Sequence, residues 1–232
     1  TATFSVSSTA VPFNNSGAIA IATGSLAFNA GFTQTAGQTT LSGGTLSANS
    51  TLQFQGGLLT GTGTISGSVS NSGTLSIGAS PGTLTITGNY TQGASGAMNI
   101  ELAGTVAGTE FDRLIVSGSA NLGGTLNVTL LDGFVPATSS SFIFLNCANR
   151  AGTFSTFNFP DATSNLQLTY SSTSATIQES TIPFTPTVFW VGASGDWNTA
   201  TNWNTGVVPG VNDDILINVQ GDVVITHSSG TH

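Results

Sequence analysis

The sequence predicts an all-β chain: a right-handed parallel β-helix, a β-rich cap region and a small C-terminal β module. Three observations point there. Helix formers never run together, apolar residues alternate over short stretches, and a glycine tripeptide recurs. Gly, Thr, Ser and Asn interrupt every segment that approaches helical length, which removes helix as a main element. The alternation is clear in Ala18-Ile19-Ala20-Ile21, Thr83-Leu84-Thr85-Ile86-Thr87 and Thr125-Leu126-Asn127-Val128. A period of two describes strands with one buried face. The tripeptide is Gly, a small polar residue, then an aliphatic one, as at Gly44-Thr45-Leu46, Gly63-Thr64-Ile65, Gly73-Thr74-Leu75 and Gly124-Thr125-Leu126. Short strands punctuated in this way describe a solenoid, in which each coil buries its apolar face against its neighbours. A β-sandwich is the competing architecture. Its outward positions usually carry charge, and charged residues make up only 5% of this chain.

The elements follow in order. Residues 1–96 read as regular coils, with Leu26, Leu46, Ile65, Leu75, Leu84 and, further on, Leu126 pointing inward. Asn15-Ser16-Gly17 and Asn71-Ser72-Gly73 supply sharp corners, because Gly and Asn tolerate left-handed backbone. From Ala97 the strands lengthen and aromatics become dense, with Phe154, Phe157 and Phe159 close together. Residues 97–179 therefore read as wider coils or as a cap that seals the open strand edges. Residues 180–186 form an extended linker around Pro183 and Pro186. Residues 187–232 hold all the tryptophans, Trp190, Trp197 and Trp203.

Charge removes several functions. The chain has 2 Lys+Arg, Arg113 and Arg150, against 10 Asp+Glu, for a formal net charge of −8. Nucleic-acid binding needs cations to displace phosphate counterions and is excluded on this count. No apolar run reaches the length of a membrane span, so no membrane insertion is expected. With so few ionisable groups, folding is expected to respond weakly to pH. The lone Cys147 rules out an intrachain disulfide and reads as a buried, inert thiol. The missing initiator Met and signal peptide point to a piece of a longer protein.

At this point a resemblance enters. The stretch GTGTISGSVSNSGTLSIGASPGTLTITGNYTQ, followed by FDRLIVSGSANLGGTLNVTLLDGFVP and GTF, resembles repeats in the passenger regions of giant bacterial surface proteins and autotransporter-type adhesins. FWVGASGDWNTATNWNTGVVPGVNDDILIN resembles a second recurring piece of the same proteins, which opens a new β-helical unit. Together these cover about residues 61–154 and 189–218. The resemblance implies parallel β-helices at the bacterial cell surface and transfers no catalytic residue. It also makes the order of the pieces look permuted, as in one period of a tandem array or a head-to-tail fibre, with His232 leading towards a following Thr1.

Candidate chemistry is sparse. Asp196, Asp213, Asp214 and Asp222, with Asn198, Asn202 and Asn212, offer hard oxygens suited to calcium. The same residues serve equally as turn caps. Trp197 and Trp203 beside Asn198 and Asn202 have the composition of a sugar-stacking site, or of a small module's core. Glu110 and Asp112 are the one carboxylate pair resembling a glycosidase's, although Glu110-Phe111-Asp112 also reads as a loop entering a strand. Arg113 and Arg150 are expected in structural ion pairs. The expectation is a non-enzymatic structural and adhesive repeat of an extracellular protein, with no cofactor unless calcium, and with copies of itself and surface glycans as partners. The alternative is a secreted carbohydrate-binding module.

Overall fold

The computed structural model of the chain describes residues 3–6, 11–78, 80–159, 166–179, 186–217 and 223–228. The expected linker lies outside the described residues except for Pro186, as do Asp222 and His232. The chain divides into two compact units, Thr1–Thr181 and Ile182–His232. It is all-β, and among the described residues the first unit holds a 19-stranded sheet whose pairings are mostly parallel.

The pairing in that sheet repeats. Ala18–Ile21 pairs in parallel with Gln38–Ala48, which pairs with Leu58–Ser66, which pairs with Thr74–Ile77. Each residue meets its partner about one glycine repeat further along, as in Gln38↔Leu58 and Leu58↔Thr74. A parallel ladder demands such an offset, since the chain must travel a full crossover before lying beside itself in the same direction.

The alternation seen in the sequence stacks one column of side chains above another. Leu26, Leu46, Ile65, Ile86, Val116 and Cys147 are successive register partners. Leu59, Leu75, Met98, Leu126 and Phe157 form a second column. Leu46, Ile65, Leu75, Leu84 and Leu126 are fully buried, and Leu26 is partly buried against the same core. Each fully buried aliphatic side chain contributes about 1.5–3 kcal/mol. Cys147 closes its column half-buried, not fully enclosed, and desolvation raises its thiol pKa.

The Asn-Ser-Gly corners have a specific chemistry. Asn15 Oδ1 accepts from Gly17 N at 3.1 Å and Asn71 Oδ1 from Gly73 N at 3.2 Å. Both asparagines belong to one inward column, Asn15, Gln34, Phe54, Asn71 and Gln92 in successive register. Gln92 Nε2 donates to the carbonyls of Gly96, Gly123 and Thr125 at 3.1–3.3 Å. Corner carbonyls that turn inward thus find buried amide partners. Gly61 marks the closest backbone approach: its φ is +109° and a Cβ there would run into the Leu41 carbonyl.

Beyond Ala97 the register offset grows, from Thr74↔Ala97 to Thr83↔Arg113 and Thr125↔Thr156. The added length lies in excursions 103–112 and 131–140, which leave the core columns in place. The first excursion is internally braced, with Glu110 Oε2 accepting from Thr105 N and Val106 N at 2.8 and 2.9 Å. The pairing then changes direction. Leu166–Tyr170 and Ser174–Glu179 form an antiparallel hairpin, and Ser174–Glu179 pairs antiparallel with Ser141–Gly152. The hairpin pairs along the edge of residues 141–146 that faces away from Arg113–Leu122.

In the second unit the same direction of pairing appears on a smaller scale. Val188–Phe189 pairs in parallel with Ile215–Leu216, and Gly195–Asp196 with Ile225–Thr226. Its core is Val188, Trp190 and Trp203, with Trp197, Ile215 and Ile225 packed around them.

Candidate functional site

A groove opens on the outer face of the first unit. It encloses about 380 Å³, and its lining includes Thr60, Ser76, Ser80, Asn99, Glu101 and Asn127, with buried Asp112 also contributing. Strand length creates it. Thr74–Ile77 ends early, whereas its neighbour Ala97–Leu102 and the strand beyond that, Thr125–Leu130, run on. The chain peels away through Gly78 at φ +88° and Ser80 at φ +72°, followed by a cis Ser80-Pro81 bond. A non-glycine residue in the left-handed region is uncommon and has to be held there by its surroundings.

One wall is a ladder of outward side chains. Thr60, Ser76, Asn99, Asn127 and Asn158 are successive register partners. Asn99 Nδ2 donates to Ser76 Oγ at 2.8 Å, Asn127 Nδ2 to Asn99 Oδ1 at 2.9 Å, and Asn158 Nδ2 to Asn127 Oδ1 at 2.8 Å. Glu101 is register partner to Thr129 on the neighbouring outward column.

The groove's deepest carboxyl, Asp112, is fully buried. Its Oδ1 accepts from Gly82 N and its Oδ2 from Glu101 N, both at 2.8 Å. Burial pushes this carboxyl up to about 7; the two N–H groups oppose that shift, and the nearby Glu101 carboxylate adds to it. The carboxylate stitches excursion 103–112 to two strands. A buried acid with a raised pKa couples folding to protons, a contribution that the small number of ionisable groups does not reveal.

Glu110 and Asp112, the carboxylates that resemble a glycosidase pair in sequence, each brace backbone N–H groups. The expected ion pairs are also replaced. Arg113 donates through Nε and Nη2 to Asn146 Oδ1 at 3.2 and 3.0 Å, in a smaller cleft bordered by Phe111 and Ile143. Arg150 donates to the carbonyls of Ser171 and Gly152 and sits 4.7 Å from the Tyr170 ring centroid.

The sequence-predicted site residues of the second unit serve its own architecture. Trp203 is 2% exposed, donates Nε1 to Trp197 O at 2.8 Å, and packs edge-on against Trp190 and Trp197. It has no face free for a sugar ring, which corrects its assignment as a stacking residue: a module with few aliphatics uses its tryptophans as core. Trp197 is partly buried between Trp203 and His227. Asn202 Nδ2 donates to Asp196 O at 3.0 Å, and Asn198 Nδ2 to Ser228 Oγ at 3.4 Å. Asp196 Oδ1 accepts from Asn198 N at 2.8 Å and Asp213 Oδ2 from Gly210 N at 2.7 Å. Asp214 is exposed, and its backbone carbonyl accepts from Val188 N. Of the aspartates suited to calcium, Asp196 and Asp213 are therefore turn caps. Among the described residues no group of three His, Cys, Asp or Glu is placed to hold a metal. The hydrogen bonds on Asp196, that from Asn198 N first, hold its carboxyl below the usual range.

Sequence reasoning missed Ser76, Asn99, Asn127 and Glu101. Their common signal is an outward position in register, visible only once the pairing is known. No protein-family model matches this sequence, and no curated protein is significantly similar to it. No helix among the described residues is long and apolar enough to cross a membrane.

Proposed function

We propose that this chain is a rod-forming repeat of an extracellular bacterial surface protein, folded as a right-handed parallel β-helix and joined to its neighbours head-to-tail or in tandem. The observation that carries the reading is the unbroken column Leu26, Leu46, Ile65, Ile86, Val116, Cys147, in which every step is a parallel pairing. A solenoid is the simplest chain path that produces such a column. Right-handedness follows from the strong preference of parallel crossovers.

The surface agrees with a role in reach and contact. It is rich in Thr, Ser and Asn and poor in charged residues, and the buried Asp112 and exposed Glu110 both brace backbone. No catalysis and no cofactor enter this reading. The parallel pairs of the second unit, Val188↔Ile215 and Gly195↔Ile225, match the opening of another solenoid. Phe13, at the N-terminal side of the first, is 37% exposed beside Phe28 and Phe32. Open strand edges of this kind template one another, so a repeated heterologous contact between copies gives a filament.

Sedimentation of the full chain over a range of concentrations tests this. Head-to-tail growth predicts a weight-average mass that rises steadily with concentration, and removal of residues 187–232 returns it to that of a monomer. A full chain that stays monomeric, or a truncated chain that still grows, contradicts the assembly.

A further inference from the structure

The groove above Asp112 has a lining whose chemistry selects among ligands. We propose that it binds a neutral saccharide segment, with the Ser76, Asn99 and Asn127 ladder and the Glu101 carboxylate as its hydrogen-bonding wall. This deepens the adhesive reading of the chain by giving it a ligand class and a place, away from the tryptophan module.

The ladder is the first argument. An asparagine amide has two N–H donors and two acceptor lone pairs. Asn99 and Asn127 each use one donor and one acceptor along the column. One N–H and one lone pair per rung are left over, held in fixed orientation at the strand spacing of about 4.8 Å. A row of oriented donor and acceptor pairs matches vicinal hydroxyls, each of which also donates and accepts. Because neighbouring rungs lock the amides, little side-chain entropy is lost on binding.

Charge supplies the second argument. The groove has the Glu101 carboxylate, the buried Asp112 carboxyl and no cation in its lining. Both arginines are directed elsewhere, Arg113 to Asn146 and Arg150 to the Ser171 carbonyl. In a chain of net charge −8, uronates, sialates and phosphates are disfavoured. A carboxylate beside amides instead suits a neutral polyol, since it accepts from two hydroxyls. Size is the third. About 380 Å³ falls within the range of small-ligand sites and takes one or two sugar rings.

Nuclear magnetic resonance of the full ¹⁵N-labelled chain tests the proposal, titrated with cellotriose, maltotriose and chitotriose, and with trigalacturonate as the acidic counterpart. At least one neutral trisaccharide is expected to shift the side-chain NH₂ signals of Asn99 and Asn127 while leaving the Trp197 indole signal in place. Asn127→Ala is expected to weaken that binding about tenfold or more, and Glu101→Gln several-fold. Should Asn127→Ala not fold, Glu101→Gln and Ser76→Ala read the same wall. Absence of any shift at about 10 mM neutral trisaccharide overturns the proposal, as does equal binding of trigalacturonate or a response centred on Trp197. Cross-strand contacts between Leu75 and Met98 in the same spectra report the parallel pairing separately. Their loss points to failure of the solenoid, whereas their presence without sugar binding removes the groove alone.

Discussion

The two units solve one problem by different means. In the first, burial comes from repetition: Leu59, Leu75, Met98 and Leu126 lie in register, and each is covered by the residue before and after it. In the second, burial comes from size, as Trp190 and Trp203 with Val188 fill a core that short strands of two residues could not otherwise close. Repetition distributes stability along the sheet. Concentration places it on one side chain.

That contrast predicts unequal responses to truncation. Because every tryptophan lies in the second unit, tryptophan emission reports it, whereas far-ultraviolet circular dichroism is dominated by the first. Trp203→Ala is expected to cost about 3–5 kcal/mol and to abolish the cooperative change in emission on heating. Leu75→Ala, at about 2–5 kcal/mol, lowers the dichroism midpoint by roughly 5–15 °C and leaves a cooperative transition. A Trp203→Ala chain that keeps its emission transition breaks the comparison.

Glycines sharpen it next. Gly61→Ala forces a Cβ onto the Leu41 carbonyl at φ +109°, so the first unit should lose more than the roughly 1–2 kcal/mol of left-handed strain alone. Gly206→Ala in the second unit, at φ +68° with open space around it, should cost only that strain. Paired thermal denaturation checks the ranking, and equal losses contradict it.

Protons should separate the units by sign. The Asp112 pKa is raised in the folded state, to about 7 from an ordinary 3.8, so the folded chain holds a proton that the unfolded chain has lost. Its contribution is present below about pH 4 and is lost as pH rises through 7. The Asp196 pKa is lowered, so its contribution is present above the ordinary carboxylate range and lost on acidification. The dichroism midpoint is expected to fall by several degrees between pH 5 and pH 8, and Asp112→Asn should flatten that slope. A midpoint rising over the same interval contradicts the assignment.

The smallest effect concerns the exposed ladder. Asn127→Ala removes two hydrogen bonds from a solvated face, so a cost of about 1 kcal/mol or less is expected. Gln92→Ala strands buried carbonyls and should exceed it, at about 1–3 kcal/mol. Chemical denaturation of both variants reads the difference.

Much of the first unit was legible in the sequence because its physics is local. A period of two places Leu46 and Leu84 inward, and the paired Asn-Ser-Gly tripeptides perform the same corner bond at Gly17 and Gly73. The groove was not legible, because it arises where strands distant in sequence differ in length, and Asn99, Asn127 and Asn158 meet only through register. The tryptophan module misled in a particular way. Aromatic residues beside Asn and Asp describe a sugar platform and a compact core equally well in composition, and only burial separates them.

Engineered disulfides read the one-repeat offset on which the proposed solenoid depends. Ala27, Ser47 and Ser66 are successive outward partners in register, and neighbouring strands at about 4.8 Å fall within disulfide reach. In a Cys147→Ser background, the pairs Ala27→Cys with Ser47→Cys and Ser47→Cys with Ser66→Cys should each cross-link within one chain. The pair Ala27→Cys with Ser66→Cys, two steps apart at about 10 Å, should remain reduced. Cross-linking of that last pair, or of neither neighbouring pair, would contradict a parallel solenoid.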